Sequence, residues 1–251
     1  MTHFILRILD TFVDVLLILF VLATAGFGVY ALWDNENIFQ RADAEVYTVY
    51  LPTEQKISGE DGLSELRNLN PDIVAWLQVD GTQISYPVVQ SEDNNRYLNT
   101  NPTGEYSLSG SIFLDYRNAP DFSSPNSILY GHHMANNTMF GQLDEYAEQS
   151  FFDTHRIGSL YYNGSWHVVM FFAFLEADAY NTVLYDPGLT QSNNTETFCD
   201  YLRNHALYFE KPDLSSQTRF LTLSTCRSDR SVNGRYLLIG IIEESAIGCS
   251  E

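Results

Sequence analysis

A chain of 251 residues with 45% hydrophobic and 14% aromatic content can build one sizeable globular core, alone or with an appendage. Its 13 Lys and Arg against 32 Asp and Glu leave a formal net charge of −19. A surface this acidic repels phosphate backbones and excludes nucleic acid as a partner. The three cysteines, Cys199, Cys226 and Cys249, are odd in number and form no CxxC pair, which argues against a disulfide framework.

The first element is apolar. Val15 to Leu32 is a run of 18 residues without a charge, bordered by Asp14 and Trp33. At about 1.5 Å per residue it matches a hydrocarbon core of about 30 Å. Arg7 before it, with Asp34 and Glu36 after it, points to an N-terminus inside and a C-terminal domain outside. The favoured reading is a single-pass signal anchor with residues 1–34 as cytoplasmic tip and membrane helix. Ala23-Thr24-Ala25 also resembles a signal-peptidase site, and a buried core helix is the third reading. Residues 35–62 are polar and mixed, with Pro52 and Ser58-Gly59, and read as a linker.

The globular pattern starts at Leu63 and runs to residue 244, leaving 245–251 as a tail. Leu63, Leu66 and Leu69, then Ile73, Val74 and Leu77, suggest short helices broken at Asn70-Pro71. After Asp80-Gly81 the pattern becomes strand-like: Ile84–Val89, Ser111–Leu114 and Ser127–Tyr130. Ile157–Tyr162 and Ser165–Leu175 flank Asn163-Gly164, a hairpin signal because both residues tolerate positive φ. Asn193 to Phe209 predicts one long helix with Phe198, Leu202, Ala206 and Phe209 on one face. Two final strands follow, Phe220–Cys226 and Arg235–Gly240. Many strands and few helices indicate a mainly β fold, a barrel or sandwich with helical decoration.

Chemistry gathers at strand ends. Cys226 closes a strand on which Thr222, Ser224 and Cys226 share a face able to line a groove. A thiol is a strong nucleophile once deprotonated. His132 and His133 follow Gly131; neighbours on an extended chain diverge, so one of the two can face a groove and donate a proton to a leaving amine. Arg235 opens the next strand nine residues after Cys226, and its fork of N–H donors suits an oxyanion. Taken singly, these residues also read as a buried Cys, a surface His and a solvated Arg. Zinc held by His132, His133 and Cys226 is disfavoured, because the two His diverge and no second Cys joins them. No EF-hand spacing is present, and neither a metal nor a cofactor is expected.

Together these segments resemble a known family. Thr222-Leu223-Ser224-Thr225-Cys226, Arg235 opening the following strand, and Tyr130-Gly131-His132-His133-Met134 continuing to Phe140-Gly141 are similar to the sortases, and in detail to class B. The long helix before the Cys strand also resembles the extra helix of that class. The resemblance spans about residues 63–244. It implies a closed β-barrel with N-terminal helices and a membrane-anchored cysteine transpeptidase of Gram-positive type. By this resemblance Cys226 attacks the Thr carbonyl of a C-terminal sorting motif, His132 protonates the departing amine, and Arg235 holds the carbonyl oxygen. A thioacyl intermediate then passes to an amine of peptidoglycan precursor or of a pilin subunit. Asn94 and Leu98, from Asn94-Asn95-Arg96-Tyr97-Leu98, would line the substrate groove with Tyr130 and Ser224. The position after the nucleophile, acidic in some members, is Arg227 here, with Asp229 close by. The partners implied are surface proteins or pilins bearing an NP-x-T-like sorting signal. A secreted cysteine peptidase that hydrolyses the thioacyl, and a non-catalytic surface-binding barrel, are the alternative readings.

Overall fold

The computed structural model describes residues 2–52, 62–192, 194–215, 217–226 and 232–243. Parts of the expected linker (53–61), the Asn193 helix start, Arg227, Asp229, Arg230, Cys249 and the 245–251 tail lie outside the described residues. The chain divides into two compact units, 1–40 and 41–251.

The first unit is made of helix α1 (Thr2–Ala42). Its stretch Leu9–Gln40 has a mean hydropathy of 2.5 over its most apolar window, none of which is buried, so the helix is long and apolar enough to cross a membrane.

The second unit is a barrel. Its strands are β1 (Ile73–Val79), β2 (Ser85–Val89), β3 (Ile112–Leu114), β4 (Asn126–Tyr130), β5 (Ile157–Tyr162), β6 (Ser165–Asp178), β7 (Tyr208–Phe209), β8 (Arg219–Cys226) and β9 (Gly234–Ile242). The order is β5-β1-β2-β3-β4-β8-β9-β6, and a β5–β6 pairing closes these eight into a ring, with β7 on the outer edge of β6. Closure leaves few free edges, which suits an exposed β protein. The β5–β6 hairpin turns on Asn163 (φ 48) and Gly164 (φ 81), the positive-φ pair that such a two-residue turn requires.

Two sequence-based expectations need correction. Ile73, Val74 and Leu77 lie on β1 rather than on a second helix; only Ser64–Leu69 (α2) is helical there. Strand β1 pairs with both β2 and β5, so tertiary hydrogen bonding claims a segment whose β-branched start already favours it. After a short helix, α3 (Gln149–Thr154), the long helix, α4, covers Thr195–His205 and stops short of Phe209. Asn194 caps its start by accepting from the Thr197 amide. At its end Ala206 turns extended, Leu207 N–H bonds the Phe174 carbonyl, and Tyr208–Phe209 pairs with β6. Sheet pairing thus captures the last turn of the expected helix.

Strand parity sorts the core into two layers. Leu221, Leu223 and Leu238 belong to the larger core cluster, together with Trp76, Leu77 and Phe171. Phe220, Leu237 and Ile239 point outward and are covered by Phe198 and Leu202 of α4. The core also takes residues from the stretch read as a linker: Ala42, Ala44 and Tyr47 are buried, and the Tyr86 hydroxyl donates to the Ala42 carbonyl at 3.0 Å. The Phe220 ring centre lies 5.1 Å from that of Phe198 and 5.9 Å from that of Phe172, tilted against both. Phe220→Ala is therefore expected to cost about 3–5 kcal/mol, read as a lower urea midpoint at an unchanged slope. A loss under about 1 kcal/mol would mean that α4 does not seal this layer.

Candidate active site

The outer face of β8 changes character along its length. Phe220 lies under α4, and Thr222 is fully buried with its hydroxyl donating to Asn126 Oδ1 at 2.8 Å. Beyond them the cover ends, and Ser224 and Cys226 open onto a groove of ≈ 860 Å³. The polar face expected to line a groove therefore does so only in its last half. Strand β9 follows the same parity: Leu237 and Ile239 sit under α4, and Arg235 reaches the groove. Cys226 and Arg235 are register partners across the β8–β9 pair. The Cys226 side chain is exposed, whereas Cys199 is buried in α4, where burial pushes its thiol up. One Arg235 terminal nitrogen donates to the carbonyls of Gly234 at 2.9 Å and Val232 at 3.4 Å, which anchors the guanidinium.

His132 arrives from the other side. Strand β4 runs parallel to β8 with Tyr130 opposite Ser224, and the Gly131 N–H donates to the Ser224 carbonyl at 3.2 Å. The strand ends at Tyr130, and a tight loop carries His132 and His133. Phe140 N–H closes that loop on the His132 carbonyl at 3.0 Å, and His133 bridges Met139. A Cβ at Gly141 would run into the Met134 carbonyl, so only glycine fits the loop's return. The two histidines diverge as expected. His132 lines the groove, with Nε2 at 2.8 Å from the Leu98 carbonyl. A carbonyl oxygen only accepts, so that nitrogen carries the proton, and Nδ1 is the one left to exchange a proton with a substrate. His133 instead meets Asp144 Oδ2 at 2.8 Å.

Two loops add to the groove's lining. The first supplies Asn94 and, from the short turn at Arg96–Leu98, Leu98; the second is the segment around Tyr185. Behind them lies a carboxylate that is wholly enclosed. Asp115 receives Arg117 Nε at 2.8 Å and a terminal Arg117 nitrogen at 2.7 Å, the Tyr130 hydroxyl at 2.9 Å and the Asn94 amide at 3.1 Å. Burial alone would raise its carboxyl, but the Arg117 and Tyr130 hydrogen bonds outweigh burial and hold it below the usual range. Burial, reinforced by Asp115, pushes the Tyr130 phenol up, so it stays a donor. Burial also pushes Tyr185 up to about 12, and its hydroxyl sits 2.9 Å from Ser224 Oγ.

The depressed Asp115 has a stability consequence. An unfolded Asp titrates near about 3.9. A lower folded value means that its contribution is complete above that pH and is lost as pH falls through the folded value. Asp115→Asn is expected to flatten the acid limb of a Tm-against-pH curve below about pH 4. An acid limb as steep as that of the native chain would assign the loss to other carboxylates.

All of Asn94, Leu98, Tyr130, His132, Ser224, Cys226 and Arg235 line this one groove. Sequence reasoning missed Tyr185, Asp115 and Arg117. For Asp115 a faint signal exists, an acidic residue directly after the apolar Ile112–Leu114 run with Arg two positions on; for Tyr185 no local signal exists.

Comparison with known proteins gives a consistent picture. The sortase domain family model matches residues 77–241. Sortase B of Listeria monocytogenes is 33% identical over 218 residues, covering 86% of this chain and 87% of that protein. A crystal structure of a Streptococcus pyogenes class B sortase involved in pilus biogenesis superposes with a TM-score of 0.67 at 38% identity, covering 72% of this chain and 97% of the other. The Staphylococcus aureus sortase B–substrate complex superposes with a TM-score of 0.73 at 26% identity, over 86% and 100% of the two chains.

Proposed function

The chain belongs to the sortase family, with class B relatives, and is a cysteine transpeptidase of the sortase type; from that premise we propose that Cys226, His132 and Arg235 are its catalytic groups and that it joins proteins bearing a C-terminal sorting signal to an amine. The observation that carries this reading is the pairing of Cys226 with Arg235 across β8–β9 at a groove that also holds His132. The Cys226 thiolate attacks the carbonyl carbon of the motif's Thr, and the oxyanion that forms is met by the Arg235 guanidinium. The scissile C–N bond then breaks. The departing amine takes a proton from His132, and a thioacyl bond to Cys226 remains. An incoming amine attacks that carbonyl and gives its proton back to His132, and the C–S bond breaks to leave the new amide and the Cys226 thiolate.

Asn94, Leu98, Tyr130 and Ser224 bind the extended motif along the groove. Residues 1–34 form the cytoplasmic tip and a single-pass anchor, residues 63–244 the extracellular catalytic domain, and 245–251 a tail. The apolar α1 helix supports the anchor, and the Arg7-to-Asp34 charge bias supports the orientation. The acceptor is an amine of peptidoglycan precursor or of a pilin.

The test uses the full chain in detergent with a library of Thr-containing peptides, with and without triglycine. A mass adduct on Cys226 that converts to an amide product with triglycine is expected. Acid product alone would favour a peptidase, and the absence of any adduct would remove the catalytic reading.

A further inference from the structure

We propose that the buried Asp115–Arg117 pair is a positioning centre that fixes the shape of the substrate groove by tying three of its lining segments to one carboxylate; this rests on the reading of the groove as the sorting-peptide site. Asp115 has no exposed surface, yet five hydrogen bonds converge on it: three from Arg117, counting its backbone N–H at 2.9 Å, and one each from Tyr130 and Asn94. A carboxylate offers about four lone-pair sites, so no acceptor capacity remains for a peptide. Its role is to hold its donors.

Each donor belongs to a different part of the groove. Asn94 lines the groove, and its orientation is fully set, because its amide nitrogen goes to Asp115 and its oxygen accepts the Tyr116 N–H at 3.0 Å. Tyr130 lines the groove from the end of β4. The Arg117 nitrogen that bonds Asp115 Oδ2 also donates to the Tyr185 carbonyl at 3.0 Å, which fastens the Tyr185 segment of the lining. The Tyr185 ring then stacks on Tyr130 with 13° between planes. Segments near residues 94, 115, 130 and 185 thus share one charge as their reference point. A planar fork can do this and an ammonium cannot, because two parallel bonds to the carboxylate leave a donor aimed at Tyr185.

The expected signature is a loss of peptide recognition without loss of thiol reactivity. In the full chain in detergent, with an NP-x-T-type peptide and triglycine, Arg117→Gln and Arg117→Lys should each raise KM by about tenfold or more, since a displacement of about 1 Å in a binding site is costly. In the same proteins, the rate of Cys226 alkylation by iodoacetamide should stay within about twofold. Asp115→Asn should behave like the Arg117 variants. If it fails to fold, the Arg117 variants carry the test, because that side chain is 43% exposed. A wild-type KM in both Arg117 variants, rescue by Lys, or a parallel fall in turnover and alkylation would overturn the positioning role. If the native chain processes no peptide while its Cys226 still alkylates, the groove assignment itself fails and the proposal falls with it.

Discussion

Cys226→Ala is expected to lower amide formation by about 10⁴-fold or more while the fold remains intact, because removing a covalent nucleophile leaves only binding and oxyanion stabilisation. The structure separates these two consequences. Cys226 is the last residue of β8 and its side chain is exposed, so truncation opens no cavity. Its backbone pairing with Arg235 needs no side chain. A stability change within about 0.5 kcal/mol follows, as for other exposed positions. The companion measurement is thiol labelling in a Cys249→Ser background. Native protein should take up one alkyl group quickly, at Cys226, since Cys199 is buried and its thiol is pushed up by that burial. Cys226→Ala should abolish the fast phase. Residual turnover above about 1% of native in the Ala variant would move the nucleophile elsewhere.

The sequence revealed the ends of the strands better than the space between them. Alternating runs at Ile157–Tyr162 and Ser165–Leu175, split by Asn163-Gly164, correspond to a real hairpin because the turn chemistry and the strand period agree. Ile73–Leu77 misled because β1 is buried on both faces and pairs on both sides, which erases the period of two and leaves an apolar spacing that also fits a helix. Phe209 misled in the reverse direction: its helical spacing is genuine, but β6 offers it backbone partners. The groove residues at Cys226, Arg235 and His132 were legible because each lies at or just beyond a strand end, where position is fixed locally. The Asp115 centre was not, since its donors lie 21 and 15 residues away and its link to Tyr185 spans 68. Such a cluster exists only after the barrel closes.

Arg235→Ala is expected to reduce kcat by about 10²–10³-fold with KM changed far less, the signature of an interaction made chiefly in the transition state. The geometry gives the reason for the split. Arg235 is the register partner of Cys226 and lines the same groove, and in the proposed mechanism its guanidinium meets the negative charge that develops on the carbonyl oxygen. One terminal nitrogen is held by the Gly234 and Val232 carbonyls, which fixes the plane before substrate arrives. In the proposed mechanism the oxyanion takes its hydrogen bond from this same guanidinium. Lysine keeps the charge but cannot bond those carbonyls and present further donors in a fixed plane, so Arg235→Lys should recover less than about tenfold of the loss. Full recovery by Lys would reduce the residue to a point charge. If Arg235 acted only by gripping the peptide, the Ala variant would raise KM and leave single-turnover thioacylation at saturating peptide near the native rate. Stopped-flow acylation with an NP-x-T-type peptide therefore decides between the two roles: a slow acylation step at saturation places the guanidinium on the oxyanion.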